Sequence, residues 1–81
     1  MKYINNSTHN QRLAILGWFK THKSLTTLEA RNELGIMHPG GRILELRKSG
    51  YDIKTHQSTE LDSLEKPHRV ARYVLHSRRP V

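Results

Sequence analysis

The groups able to do chemistry in this 81-residue chain are fourteen Lys/Arg, seven Asp/Glu and six His, with no cysteine. The histidines, His9, His22, His38, His56, His68 and His76, are scattered, and no two stand in the i, i+4 or H-x₃₋₅-H arrangement of zinc ligands. No metal site and no cofactor are therefore expected. A thiolate nucleophile, a glycine-rich phosphate loop after a strand and a carboxylate pair are all missing, so catalysis is not expected either. What remains is charge. The formal net charge is +7 with a pI near 10.3, and protonation of the histidines adds to it below about pH 6.5. Such a surplus favours a polyanionic partner, of which nucleic acid is the commonest.

The chain length allows one domain with a small core. Its hydrophobic fraction of 35% is low, but the apolar residues are clustered and periodic, which points to a folded domain. No run approaches the roughly 18 apolar residues of a membrane span, and the opening MKYINNSTHN lacks the apolar centre of a signal peptide. A cytoplasmic protein is expected, in keeping with the lack of cysteine. The Asn-x-Ser/Thr matches at Asn5 and Asn6 then carry no meaning.

The elements that would position the charges are legible in order. Residues 1–7 read as a flexible arm in which Tyr3 and Ile4 are available for docking, and residues 77–81 as a basic tail; the domain occupies 8–76. Ser7 or Thr8 caps a first helix running to about His22, with Ile15, Leu16 and Phe19 on one arc and Trp18 covering the edge of the core. A short strand, Ser24-Leu25-Thr26, leads into Thr26-Thr27-Leu28-Glu29, which has the S/T-x-x-E pattern of a capping box. The second helix carries Leu28, Ala30 and Leu34 inward and ends at Gly35, a residue suited to the left-handed C′ position.

Ile36-Met37 make a tight turn, and Pro39 suits the first turn of a third helix that carries Ile43, Leu44 and Leu46 inward and stops at Gly50. Its other face presents His38, Gly41, Arg42, Glu45, Lys48 and Ser49, a polar and mainly basic set. Arg42 is the side chain best suited to a bidentate guanine contact. Arg47 falls in the apolar arc and is expected to pack its stem and pair with an acid such as Asp52. Gly40 and Gly41 each cost about 1 kcal/mol in a helix relative to alanine; they either loosen the first turn or let the backbone come close to something. Beyond Gly50 the period becomes two: Tyr51, Ile53 and Thr55 alternate with Asp52, Lys54 and His56, and Ala71, Tyr73 and Leu75 share a face of a second run. Two such strands should pair as an antiparallel hairpin.

The stretches LTTLEARNELGI, RILELRKSGYDIKT and VARYVL resemble the small winged helix-turn-helix proteins of bacteriophages and prophages, and the layout is similar to the DNA-binding domain of the biotin operon repressor. The resemblance spans about Gln11 to Leu75. It implies an α+β fold of three helices with a C-terminal hairpin wing, and double-stranded DNA binding with the third helix in the major groove. The residues expected to touch DNA are His38, Arg42, Lys48 and Ser49 from that helix, Lys54, Arg69 and Arg72 from the hairpin, and Thr27, whose backbone N–H sits at a helix N-terminus.

Two features depart from the pattern. His38-Pro39-Gly40-Gly41 is an unusual opening for a helix that reads bases. The connection from Gln57 to His68 is long and acidic, with Glu60, Asp62 and Glu65 against Lys66. Ser58 to Leu61 could begin a helical turn, and the loop is either solvated or a contact for a homodimer partner or a host protein. The expected role is a sequence-selective transcriptional regulator. The alternatives are an excisionase-type factor that bends DNA and a protein-interaction module that inhibits or recruits a host protein.

Overall fold

A computed structural model of the chain describes residues 7–77. The expected arm before Ser7 and the tail after Ser77, with Arg78 and Arg79, lie outside the described residues. Six elements follow one another: α1 (Thr8–Phe19), β1 (Ser24–Thr26), α2 (Thr27–Glu33), α3 (Pro39–Lys48), β2 (Asp52–Leu61) and β3 (Pro67–Ser77). The arrangement is the α+β winged helix-turn-helix fold.

Each helix begins and ends where local chemistry dictates. Ser7 Oγ accepts the Asn10 N–H at 3.2 Å and opens α1. The helix stops at Phe19, three residues short of His22, because the chain must turn to place β1. That turn is held by Trp18, whose indole N–H donates to the Ser24 carbonyl at 2.7 Å while its ring stacks on His22 at 3.7 Å. The capping box opening α2 is complete: Thr26 Oγ1 accepts the Glu29 N–H at 3.0 Å, and Glu29 Oε1 accepts the Thr26 N–H at 2.8 Å. Gly35, at φ +69°, takes the left-handed conformation that lets the Ile36 N–H return to the Ala30 carbonyl at 2.9 Å, burying Ile36. At the end of α3, Gly50 is at φ +106°, and the Gly50 and Tyr51 N–H groups bond the Arg47 and Leu46 carbonyls, a Schellman stop.

The three strands lie in the order β1-β3-β2, all antiparallel, so the last strand is the central one. Leu25 opposes Tyr73 and Ile53 opposes Leu75, which sets Leu25, Ile53 and Tyr73 on the face that meets Ile15, Ala30, Ile36, Ile43 and Leu46 of the helical layer. The hairpin is longer than the sequence suggests. Pairing continues from Gln57↔Ala71 to Leu61↔Pro67, so Ser58 to Leu61 are strand, not a helical turn, and the connection shrinks to residues 62–66. Pairing wins because it gives these backbone groups partners that an isolated helical turn would leave unmade. Asp62 organises the connection: its Oδ1 accepts the Leu64 and Lys66 N–H groups at 2.8 and 2.9 Å, and its Oδ2 meets His68 Nε2 at 2.8 Å. Those bonds, the Lys66 amide first and His68 next, hold the Asp62 carboxyl below its ordinary range. They also hold Glu65 in the left-handed region at φ +62°.

Candidate nucleic-acid interface

The orientation of α3 decides what the molecule can present. Its buried residues are Pro39, Ile43 and Leu46, an i, i+4, i+7 set. Leu44 lies about 100° round the helix from Ile43 and stands outside that arc, 51% exposed rather than inward as expected. The same offset exposes Arg47. Its Nε donates to the Ile53 carbonyl at 2.7 Å and its Nη2 to Thr55 Oγ1, so the partner is β2 and not Asp52. Asp52 instead pairs with Lys54 at 3.2 Å. The outward surface of α3 therefore consists of Gly41, Leu44 and Lys48, with Arg47 on the wing side and Arg42 and Glu45 on the α1 side.

Arg42 is not a free guanidinium. Its Nε and Nη2 each donate to one Glu45 oxygen at 2.9 Å, and its Nη1 donates to Gln11 Oε1 at 3.3 Å. Arg12 of α1 reaches the same carboxylate, Nη1 to Oε1, at 2.7 Å. The Arg42 hydrogen bonds first, and Arg12 second, hold the Glu45 carboxyl below its ordinary range. One negative charge is thus shared by two positive ones, and Arg42 is only 21% exposed. To take a guanine, the fork of Arg42 would have to leave Glu45. His38, Lys48 and Ser49 are exposed. His38 precedes the first turn of α3 without capping it, and Ser49 Oγ donates to the Glu45 carbonyl at 3.2 Å.

The alternation of side chains along each strand divides the cations of the hairpin between its two faces. Opposed residues share a face, and Ile53, Thr55, Gln57 and Thr59 with Arg69, Ala71, Tyr73 and Leu75 make the helix side of the ribbon. Arg69 lies there beyond the core and donates to Gln57 Oε1. Lys54, opposite Val74, and Arg72, opposite His56, belong to the other side. Lys54 is exposed and Arg72 half-buried.

Thr27 and Arg69, far apart in sequence, come together at a groove of about 420 Å³ between α2 and the wing, lined also by Leu28, Arg31 and the Asp62–His68 pair. The Thr27 hydroxyl donates to the Ala71 carbonyl at 3.5 Å. Arg31, whose Nε donates to the Met37 carbonyl at 2.9 Å, ties the turn between α2 and α3 and adds a cation to this groove. Arg12, Arg31 and Arg47 were not among the candidate residues of the sequence reading. The i, i+3 spacing of Arg42 and Glu45 was a visible sign of their pairing. Nothing local marks Arg12 as a third member.

Among the described residues no group of three or more His, Cys, Asp or Glu side chains could hold a metal ion, and no helix is long and apolar enough to cross a membrane. No curated protein and no solved structure matches the chain. The model of the winged helix-turn-helix domain family matches residues 10–78, most of the chain, from within α1 to the end of β3. With the helix-turn-helix and its wing in place, the chain belongs to the winged helix-turn-helix domain family, whose fold is a DNA-binding one.

Proposed function

We propose that the protein is a sequence-selective double-stranded DNA-binding protein that acts as a transcriptional regulator, with α3 lying in the major groove. The observation that carries this is the outward surface of α3, which projects Leu44 and Lys48 away from the core while its one acid, Glu45, is already neutralised by Arg12 and Arg42. His38, Lys48 and Ser49 contact the groove or its phosphate walls. Arg47 bridges α3 to the helix side of the wing, where Arg69 continues the cationic surface toward Thr27 and Arg31. A ribbon entering a groove edge-first meets phosphates on both faces, which gives Lys54 and Arg72 a role on the second strand. Arg42 reads bases only by exchanging Glu45 for DNA. The resemblance to phage and prophage proteins supports a regulator acting in a bacterial host.

Selection of sites from random duplexes, followed by fluorescence anisotropy over a salt series, tests this. Enrichment of a defined site, with an affinity that falls linearly in log salt by about 0.9 per phosphate contact, is expected. Binding of no duplex at low salt would reject it. A second reading, contact with a protein through the wing tip, is favoured by one observation: Leu61 and Leu64 are 63% and 73% exposed at the hairpin end. Sedimentation of the Leu61→Ser/Leu64→Ser variant, and its capture by host proteins compared with wild type, separates this from a merely solvated loop.

A further inference from the structure

Base readout by this helix is expected to rest on the guanidinium of Arg42, yet the structure directs that group elsewhere. Both edges of its fork meet Glu45, and the remaining Nη1 meets Gln11. At the centre of the exposed α3 surface stands an aliphatic side chain instead. Leu44 is 51% exposed, one turn after Gly41 and one turn before Lys48. The space beside it is empty: a Cβ built on Gly41 would meet nothing within 4 Å. Leu44 offers an apolar side chain between two cations, Lys48 and Arg47. A duplex groove matches that surface, with phosphates for the cations and, on its floor, one apolar group only, the 5-methyl of thymine.

We propose that Leu44 is the specificity-determining residue of the interface and packs against thymine methyl groups, so that the preferred site carries A·T pairs where α3 meets the groove floor. This rests on the DNA-binding reading above and names the class of site it takes. Leu44 Cδ methyls seat on the thymine methyl, Gly41 leaves room for the backbone to approach the bases, and Lys48 holds the adjoining phosphate.

The test replaces thymine by uracil, position by position, in the duplex obtained by selection, which deletes the methyl and leaves every hydrogen-bonding group in place. Wild type should bind the uracil duplex about fourfold more weakly per methyl contacted, the worth of one buried methylene. Leu44→Ala, a change at a half-exposed position whose folding circular dichroism checks, should bind thymine and uracil duplexes equally. Gly41→Ala should raise the melting temperature, because alanine favours a helix over glycine, and at the same time weaken the selected complex. Equal binding of both duplexes by wild type would overturn the proposal while leaving DNA binding intact. So would discrimination that survives in Leu44→Ala, including the case where that variant instead loses a protein partner. Failure of wild type to bind any duplex would reject the DNA-binding reading first, and this inference with it.

Discussion

Replacing Glu45 with alanine should turn a quiet pair of arginines into phosphate ligands. In the wild type, three hydrogen bonds of 2.7 to 2.9 Å join Arg12 Nη1, Arg42 Nε and Arg42 Nη2 to the two oxygens of one carboxylate. Removing the carboxylate raises the formal net charge of +7 by one and releases two guanidinium groups beside α3. Each one that reaches a phosphate steepens the dependence of log affinity on log salt by about 0.9. Between 50 and 200 mM salt, a fourfold change, that slope adds about a 3.5-fold loss for one arginine and about a twelvefold loss for two. Affinity at low salt should rise for all sequences, and the ratio of selected to random duplex should fall, because phosphate contacts carry no sequence information. Site selection repeated with the variant should gain guanine where Arg42 now points. The assay is anisotropy titration of selected and random duplexes at four or more salt concentrations. Glu45→Gln serves as the control that keeps an acceptor but no charge. A salt slope equal to that of wild type would mean that neither arginine reaches the DNA, and the assignment of this side of α3 to the interface would be abandoned.

Lys48→Ala should weaken binding to selected and random duplexes alike and flatten the salt slope by about 0.9, read in the same titrations. Thr26 is 4% exposed and completes the capping box, so Thr26→Ala should cost about 0.5–2 kcal/mol in urea unfolding. Ile43→Ala, at a fully buried site between the helices and the sheet, should cost about 2–5 kcal/mol. The Glu45 carboxyl is depressed in the folded chain, so its linkage stabilises the protein above the ordinary glutamate value and the gain is lost as pH falls through the folded value. The difference in unfolding midpoint between wild type and Glu45→Ala should therefore be largest near neutrality and shrink under acid conditions, checked by denaturation at a series of pH values.

Much of the architecture was written in short-range signals. Thr26 and Glu29 are three residues apart, and a capping box needs no other part of the chain to form. Gly35 and Gly50 mark helix ends because the left-handed conformation there is cheap for glycine alone. The change of apolar period after Gly50 announced strands, since a period of two buries one face of a ribbon and cannot line one side of a helix. The same signals misplaced Leu44 and Arg47. A wheel drawn from Ile43, Leu44 and Leu46 cannot say which apolar residue is left out when the arc narrows, and contact with α1 and the sheet chose Pro39, Ile43 and Leu46. Acidic residues between Gln57 and His68 likewise read as loop, although cross-strand pairing carries β2 to Leu61.

By itself the sequence determined the kinds of element, their order, their stops and the surplus of positive charge, because each depends on neighbours within one or two turns of the chain. Only the tertiary structure decided which charges remain available to a partner. Arg12 and Glu45 are 33 residues apart and meet through the packing of α1 on α3. Arg69 reaches Gln57 because β3 pairs with β2 in one register out of several possible. A guanidinium has the same composition whether it is bare or paired, and distance in space, which no local pattern encodes, settles the difference.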